Sequence, residues 1–367
     1  MNKESAEVVV IGGGVRGMAV AYYLKKAGVD VIVLEKRFVG AGASGLSMGY
    51  VNISGKGPIF YTEFSKMSAD MYPTLNEELD GKIEYERNGS VSVAQTEKEW
   101  EELAEVADER NRVEDVNMCM LDIAKMREME PALSPHLLGG YWCPVDGGVN
   151  PLKLTRTLAS EAARKGACIY TGCEVLDILS SSGRIEGVIT NKVSISTHIV
   201  VNAAGIHVPQ ICGMAGIHVP VFPERGQLTI TEPLPKFLNH TVGSYKQFEN
   251  GQVLMGVTNE RVGENTSVTT RMISSRVRLA LEILPGLKAV RGIRCAAALR
   301  PMTPDRLPIY QKMEGVSDLY LAVGHSGFTL APITGKIFSE LITQGHTDVA
   351  IDEYRIERFN EKEEDSE

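Results

Sequence analysis

Three glycines and one acid carry the first chemical signal in the sequence. Gly12, Gly14 and Gly17 fit the spacing G-x-G-x-x-G, and Glu35 follows at about the 20-residue distance at which a carboxylate takes ribose hydroxyls in a dinucleotide site. Gly12 permits a tight turn, Gly14 lets the backbone approach a pyrophosphate, and Gly17 lets a helix sit close to a strand. A helix opening at Val15 and Arg16 would point its free N–H groups and positive dipole end at the phosphates. The elements that must hold these residues are legible around them. Val8-Val9-Val10-Ile11 reads as a strand buried on both faces. A helical run to Ala27 follows, with Val15, Met18, Ala19 and Tyr22 on one face and Lys25 and Lys26 on the other, and Gly28 stops it. Val31-Ile32-Val33-Leu34-Glu35 is the second strand. The alternative is a glycine-rich turn in an ordinary βαβ unit.

Composition bounds the rest. The chain has 367 residues, enough for two domains, and is 43% hydrophobic and 23% charged, as a globular protein is. A net charge of −9 argues against nucleic acid or an anionic membrane as the main partner. No apolar run reaches the ~18 residues of a membrane span, and no signal-peptide core precedes Val8, so a cytoplasmic protein is expected. The cysteines, Cys119, Cys143, Cys168, Cys173, Cys212 and Cys295, form no CxxC, and the histidines show no ligand spacing. The cysteines read as reduced, mostly buried thiols, with no metal site.

Further along, Gly40-Ala41-Gly42-Ala43-Ser44-Gly45-Leu46-Ser47-Met48-Gly49-Tyr50 is too rich in small residues to be a packing element. It suits a segment laid against a flat ligand; the alternative is a flexible surface loop. Thr96-Glu97-Lys98-Glu99 is a capping box opening a helix, Val91-Ser92-Val93 alternates like a strand, and a helix runs from Asp122 to Glu130 before Pro131. Asn150-Pro151 starts another helix that Gly166 stops. A small meander follows from Glu174 to Leu179, Arg184 to Thr190 and Val193 to Ser196. His198 to Gly205 reads as a buried strand whose small end, Ala203-Ala204-Gly205, would make room for a ligand if the strand joins the first sheet. From Val219 to about Ala297 antiparallel strands are expected, with Asn250-Gly251 as a two-residue hairpin turn and a helix from Ser274 to Leu284. A last helix runs from Pro332 towards Ile342, and the acidic tail, 360–367, is expected to be disordered.

These marks together resemble the D-amino-acid-oxidase-like family of FAD-dependent oxidoreductases, which includes glycine and sarcosine oxidases and the catalytic subunits of opine, hydroxyproline and proline dehydrogenases. The residues that carry the resemblance are the N-terminal dinucleotide fold with Glu35, the loop to Gly49, Val201-Asn202-Ala203-Ala204-Gly205, Arg225-Gly226-Gln227, Leu299-Arg300-Pro301 with Thr303-Pro304-Asp305, and Gly324-His325-Ser326-Gly327 before the last helix. The fold it implies is α/β: a Rossmann-like FAD-binding domain from 1–50, 148–220 and 296–350, and a discontinuous α+β substrate domain on an antiparallel sheet from 51–147 and 221–295. The implied cofactor is FAD. Where some relatives attach flavin through a cysteine, this chain has Ala296-Ala297-Ala298, with Cys295 out of register, so non-covalent FAD is expected. The expected cofactor set is Gly12, Gly14, Val15, Arg16, Gly17, Glu35 and Lys36; Ala43, Ser44, Gly45, Met48 and Gly49; Val175; Ala203, Ala204 and Gly205; and Arg300 with Gly324, His325, Ser326, Gly327, Phe328 and Thr329.

The resemblance also implies a reaction: oxidation of a C–N bond α to a carboxylate, by hydride transfer to flavin N5, giving an imine. Arg300 matches the family arginine that holds the substrate carboxylate, as a guanidinium does bidentately; the alternative is a buried salt bridge to a protein acid. Tyr245 lies where relatives use a tyrosine on the same carboxylate. Tyr50 and His325 are further candidates to face flavin or substrate. Arg225 reads as structural. No convincing acid–base pair emerges. Sarcosine oxidases place a lysine over the ring to activate oxygen, and Val253-Leu254-Met255-Gly256 has none. That favours a dehydrogenase in a hetero-oligomer, handing electrons to a partner subunit bearing FMN or an Fe–S cluster. Two other functions stay open: a nicotinamide-dependent dehydrogenase on a similar fold, and a flavin-bearing subunit that only relays electrons.

Overall fold

Four apolar strands in a row need cover on both faces, and the chain supplies it with three layers. The computed structural model describes residues 3–359; the acidic tail lies outside them. Its central sheet has six strands in the order Ile309–Lys312, Leu319–Val323, Ile199–Asn202, Val8–Ile11, Val31–Glu35 and Cys168–Thr171. All neighbours are parallel except the first pair. Val8, Val10, Val31 and Val33 point to one side, into a core shared with the helices Val15–Lys26, Pro151–Arg164 and Ala331–Thr343. Val9, Ile11, Ile32 and Leu34 point to the other, against a four-stranded sheet that contributes Ile178, Ile185, Val188 and Ile195. Ile199–Asn202 pairs with both Val8–Ile11 and Leu319–Val323, so the carboxyl ends of three strands meet at one edge.

The second large sheet has eight strands, in the order Gly292–Met302, Phe222–Thr231, Val253–Met255, Tyr245–Gln247, Thr241–Val242, Ser90–Ala94, Gly139–Cys143 and Cys119–Asp122. The helix Thr270–Ile283 covers one face. The other presents Leu228, Leu254 and Ala296 towards Leu46 and Met48 of the small-residue loop.

Local signals match where their chemistry is complete. Thr96 accepts from the Glu99 N–H and closes a capping box on the helix Glu97–Arg110. Asp122 and Asn150 cap the helices Ile123–Met129 and Pro151–Arg164 with their side chains. Four expectations change. The helix Val15–Lys26 is buried on nearly every side, Val20 and Ala21 included, because helices flank it on both sides. The helix expected from Ser274 begins at Thr270. The strands around Asn250-Gly251 are joined by residues 248–252, with Gly251 N–H bonded to the Phe248 carbonyl, and not by a two-residue turn. Cys119, Cys168 and Cys295 are exposed, so only half of the thiols are buried. The strand Gly292–Met302 is continuous, its pairing with Phe222–Thr231 extending to Met302.

Candidate active site

The glycine turn is built as its spacing requires. Gly12 has φ +111°, and a Cβ there would lie 2.5 Å from the Ala203 carbonyl oxygen. A Cβ on Gly17 would lie 1.9 Å from the Gly12 carbonyl oxygen. Gly14 caps the helix Val15–Lys26 without any side-chain hydrogen bond. Gly17→Ala is therefore expected to push the helix off the turn, and the purified variant should lack the visible flavin spectrum of the wild type. Full flavin retention would refute the close-packing argument.

Beside this turn a cavity of about 890 Å³ runs from Glu35 and Lys36, past Gly12 to Arg16 and Ala203 to Gly205, to Gly324 to Thr329 and Arg300. That volume is at the upper end for cofactor sites. Val15, Ala43, Ser44, Met48, Tyr50 and Val175 also line it. Gly17, Gly45 and Gly49 do not. They act by close approach: a Cβ on Gly45 or Gly49 would collide with the carbonyl of Gly40 or Val149.

Hydrogen bonds define what each wall residue can do. Glu35 accepts from the N–H groups of Gly13 at 2.8 Å and Arg37 at 2.7 Å, so its carboxylate is fixed beside the turn with lone pairs to spare. Ser44 Oγ accepts from the Val15 N–H at 3.0 Å. Lys36 Nζ meets His207 Nε2 at 2.8 Å. Arg16 lines the cavity, and its guanidinium donates to the carbonyls of Gly324 and His325, strapping the C-terminal loop to the glycine turn. Thr329 joins the two small-residue loops, donating to the Tyr50 carbonyl at 3.2 Å and accepting from the Asn52 N–H at 3.1 Å.

At the other end Arg300 is mostly buried. It donates to the Thr258 carbonyl, and its Nη2 lies 3.6 Å from Glu224 Oε1. Glu224 also holds Arg306 at 3.2 Å. Arg300 Nε is buried and finds no acceptor among the described residues. Arg300 thus has an acid neighbour in Glu224 and one buried donor without an acceptor among the described residues. Arg225 is structural, gripping Glu260 through Nε and Nη2 at 3.2 and 2.8 Å.

One candidate is corrected. Tyr245 is not brought to the cavity; it lies in the apolar cluster with Val91, Val242, Met255 and Ile283, on the sheet face opposite Leu254. Strand alternation puts it there. Tyr50 lines the cavity, but its hydroxyl donates to Asp146 Oδ2 at 3.1 Å. His325 does line the cavity, and burial followed by the charges of Lys56, Arg300, Arg16 and Arg306 holds its imidazolium well below the usual range.

Sequence reading missed two groups. Asp146 is fully buried and accepts from the Ile53 and Ser54 N–H groups, the hydroxyls of Tyr50, Ser54 and Ser90, and the Asn52 amide. It fixes the backbone that follows the small-residue loop. Lys56 is 6% exposed, lines the cavity and donates to Ser326 Oγ at 2.9 Å. The cavity thus has a lysine, although 253–256 supplies none. No local signal marked either as enclosed: the Asp146-Gly147 pair reads as a turn, and Lys56 stands between two glycines.

The observed cradle fits a flavin dinucleotide: a helix N-terminus whose N-cap, Gly14, brings no side chain of its own and where only the Val15 N–H is taken, by Ser44, two glycines that exclude a Cβ, and an acid at the end of the second strand. Among the described residues no cluster of potential metal ligands occurs, and no helix is long and apolar enough to cross a membrane.

Comparison with known proteins agrees. The family model described as FAD dependent oxidoreductase matches residues 7–341. The chain is 29% identical to the hydrogen cyanide synthase subunit HcnC of Pseudomonas protegens, over 96% of each chain. It is 27% identical to an opine oxidase subunit of Rhizobium meliloti, over 96% of this chain and 98% of that one. The crystal structure of L-proline dehydrogenase from P. horikoshii superposes with a TM-score of 0.91 at 28% identity, covering 98% of this chain and 99% of that one.

Proposed function

The chain belongs to the FAD-dependent oxidoreductase family, and from that premise we propose that it oxidises the C–N bond α to the carboxylate of a small amino acid or secondary amino acid, leaving an imine. The observation that carries this is Arg300, whose guanidinium faces the same cavity as the dinucleotide cradle and keeps a buried Nε without an acceptor among the described residues. FAD, when bound, supplies the chemistry by taking up the hydride. The residues that would hold it are the Gly12–Gly17 turn with the helix end behind it, Glu35 for the ribose, Ala203 to Gly205, and the loop Gly324 to Thr329. Arg300 binds the substrate carboxylate and so fixes where the Cα–H bond points, and that positioning provides much of the rate. A primary imine released to water hydrolyses to a 2-oxo acid, whereas a cyclic one persists.

FAD is held non-covalently in this reading. Cys295 is exposed, pairs with Thr229 and is absent from the cavity wall. Electrons leave through a partner subunit, as is supported by two relatives being named as subunits of larger enzymes. One series of measurements tests these points. Acid precipitation should leave the yellow colour in the supernatant. Anaerobic titration with glycine, sarcosine, D-amino acids, prolines, hydroxyprolines and opines should bleach the flavin with one of them. The isolated chain should then release hydrogen peroxide only slowly in air. No bleaching by any amine would support a subunit that merely relays electrons, and rapid peroxide release would make the protein an oxidase.

A further inference from the structure

We propose that Lys56, Ser326 and His325 form a relay that removes a proton from the substrate's ammonium group, so that the amine is neutral when its C–H bond breaks. The proposal rests on the amine-oxidising function above. An amino acid at neutral pH carries an ammonium, which has no lone pair to form C=N. One proton must leave first, and the cavity must accept it.

Few groups can. The carboxylates that line the cavity among the described residues, Glu35 and Glu174, stand at its far end: Cys173, which precedes Glu174, bonds the Glu35 carbonyl. Glu224, beside Arg300, already faces two guanidinium groups. The Tyr50 hydroxyl is spent on Asp146. His207, which also lines the cavity, is engaged with Lys36 beside Glu35 at that far end, and what remains is a row of three side chains. Lys56 Nζ lies 2.9 Å from Ser326 Oγ, and Ser326 Oγ lies 3.1 Å from His325 Nδ1. All three residues line the cavity. Ser326 is held at φ +64°, a left-handed backbone rare for serine and typical of functional positions. Lys56 has no ion-pair partner among the described residues, although it is almost wholly buried.

The charged and titratable groups that face the row are Asp146 and Tyr61 at Lys56, and Arg16, Arg300 and Arg306 at His325. Burial lowers the Lys56 ammonium to about 8, against the pull of Asp146. The resting cation donates to Ser326. Once Lys56 is neutral the row reverses: Nζ accepts from the Ser326 hydroxyl, Oγ accepts from His325 Nδ1–H, and Nε2 offers a lone pair to the substrate. Transfer then breaks one substrate N–H bond and forms Nε2–H. The Nδ1 proton moves to Oγ, and the hydroxyl proton moves to Nζ. The products are a neutral amine and the Lys56 ammonium, and no electron moves. His325 is the catalytic residue; Ser326 and Lys56 act through it. Because the neutral form of Lys56 is the active one, the rate rises with pH through about 8 and falls below it.

The test uses the FAD-loaded protein. Anaerobic stopped-flow reduction by the amine that bleaches the flavin, from acid to alkaline pH, should show an inflection near 8 in the wild type. Lys56→Met should lose the inflection and slow reduction by ~100-fold or more, the range of general base catalysis. Lys56→Arg keeps the charge but cannot accept the proton, so it should be as slow. Ser326→Gly cuts the row while easing the backbone and should behave alike. A second readout needs no turnover: the ¹³Cε1 NMR signal of His325 should switch tautomer with the same midpoint as Lys56 in the wild type, and should lose that step in Ser326→Gly. A wild-type rate and inflection in Lys56→Arg, or a His325 signal blind to Lys56, overturns the relay alone. A wild-type flavin that no amine reduces overturns the function, and the relay with it.

Discussion

Arg300→Ala is expected to raise the KM for the amine substrate by ~30-fold to several thousandfold, the equivalent of about 2–5 kcal/mol, while flavin stays bound. Three facts set the direction. The guanidinium is largely buried, and burial is the main influence working against its charge. Its partners within the chain are few: the Thr258 carbonyl and Glu224 at 3.6 Å. Its Nε finds no acceptor among the described residues. A substrate carboxylate answers all three, since it brings the opposite charge and two acceptors in the geometry of the fork. The variant also leaves Glu224 facing Arg306 alone. Retention of flavin is expected because the dinucleotide cradle is built from the glycine turn and the two small-residue loops. Initial-rate kinetics and the visible spectrum check both halves. A KM within about threefold of the wild type would mean that the carboxylate is held elsewhere.

Asp146→Ala is expected to lower stability by ~3–5 kcal/mol in urea unfolding, the scale of losing a buried hydrogen-bond hub. The carboxylate has no exposure and collects donors from Tyr50, Asn52, Ile53, Ser54 and Ser90, spread over two segments. Alanine leaves those donors buried without an acceptor, each at a cost of about 1–3 kcal/mol before relaxation. Asp146→Asn keeps the shape but loses the charge and one acceptor, so it should fall between. The effect reaches the site, because the backbone from Tyr50 to Ser54 leads to Lys56 and carries Asn52, which bonds Thr329. A loss below ~1 kcal/mol for Asp146→Ala would show that water replaces the carboxylate without difficulty.

The first βαβ unit was readable because its signals are local. A strand buried on both faces, a glycine turn and a following acid lie within the span Val8 to Glu35, and each is dictated by backbone sterics or by a helix end. The capping residues Thr96, Asp122 and Asn150 were readable for the same reason: a cap satisfies N–H groups two or three residues away. The relatedness marks from Arg225 to Gly327 then pointed to flavin and to a carboxylate.

What the sequence could not determine is which of its polar residues are enclosed. Asp146 sits in an Asp-Gly pair, which elsewhere marks an exposed hairpin turn, yet it is fully buried. Lys56, of a type almost never buried, forms part of a cavity wall. Tyr245 and Leu254, on neighbouring strands, face opposite sides of one sheet, so only pairing register tells which one meets the site. The sequence alone determined the cradle, because its chemistry is written in adjacent residues. The tertiary structure alone decided the company of Arg300, Asp146 and the Lys56–Ser326–His325 row, because each of those joins segments far apart in the chain: Arg300 meets Glu224 across one antiparallel strand pair, Asp146 gathers donors from 50–54 and Ser90, and Lys56 reaches Ser326.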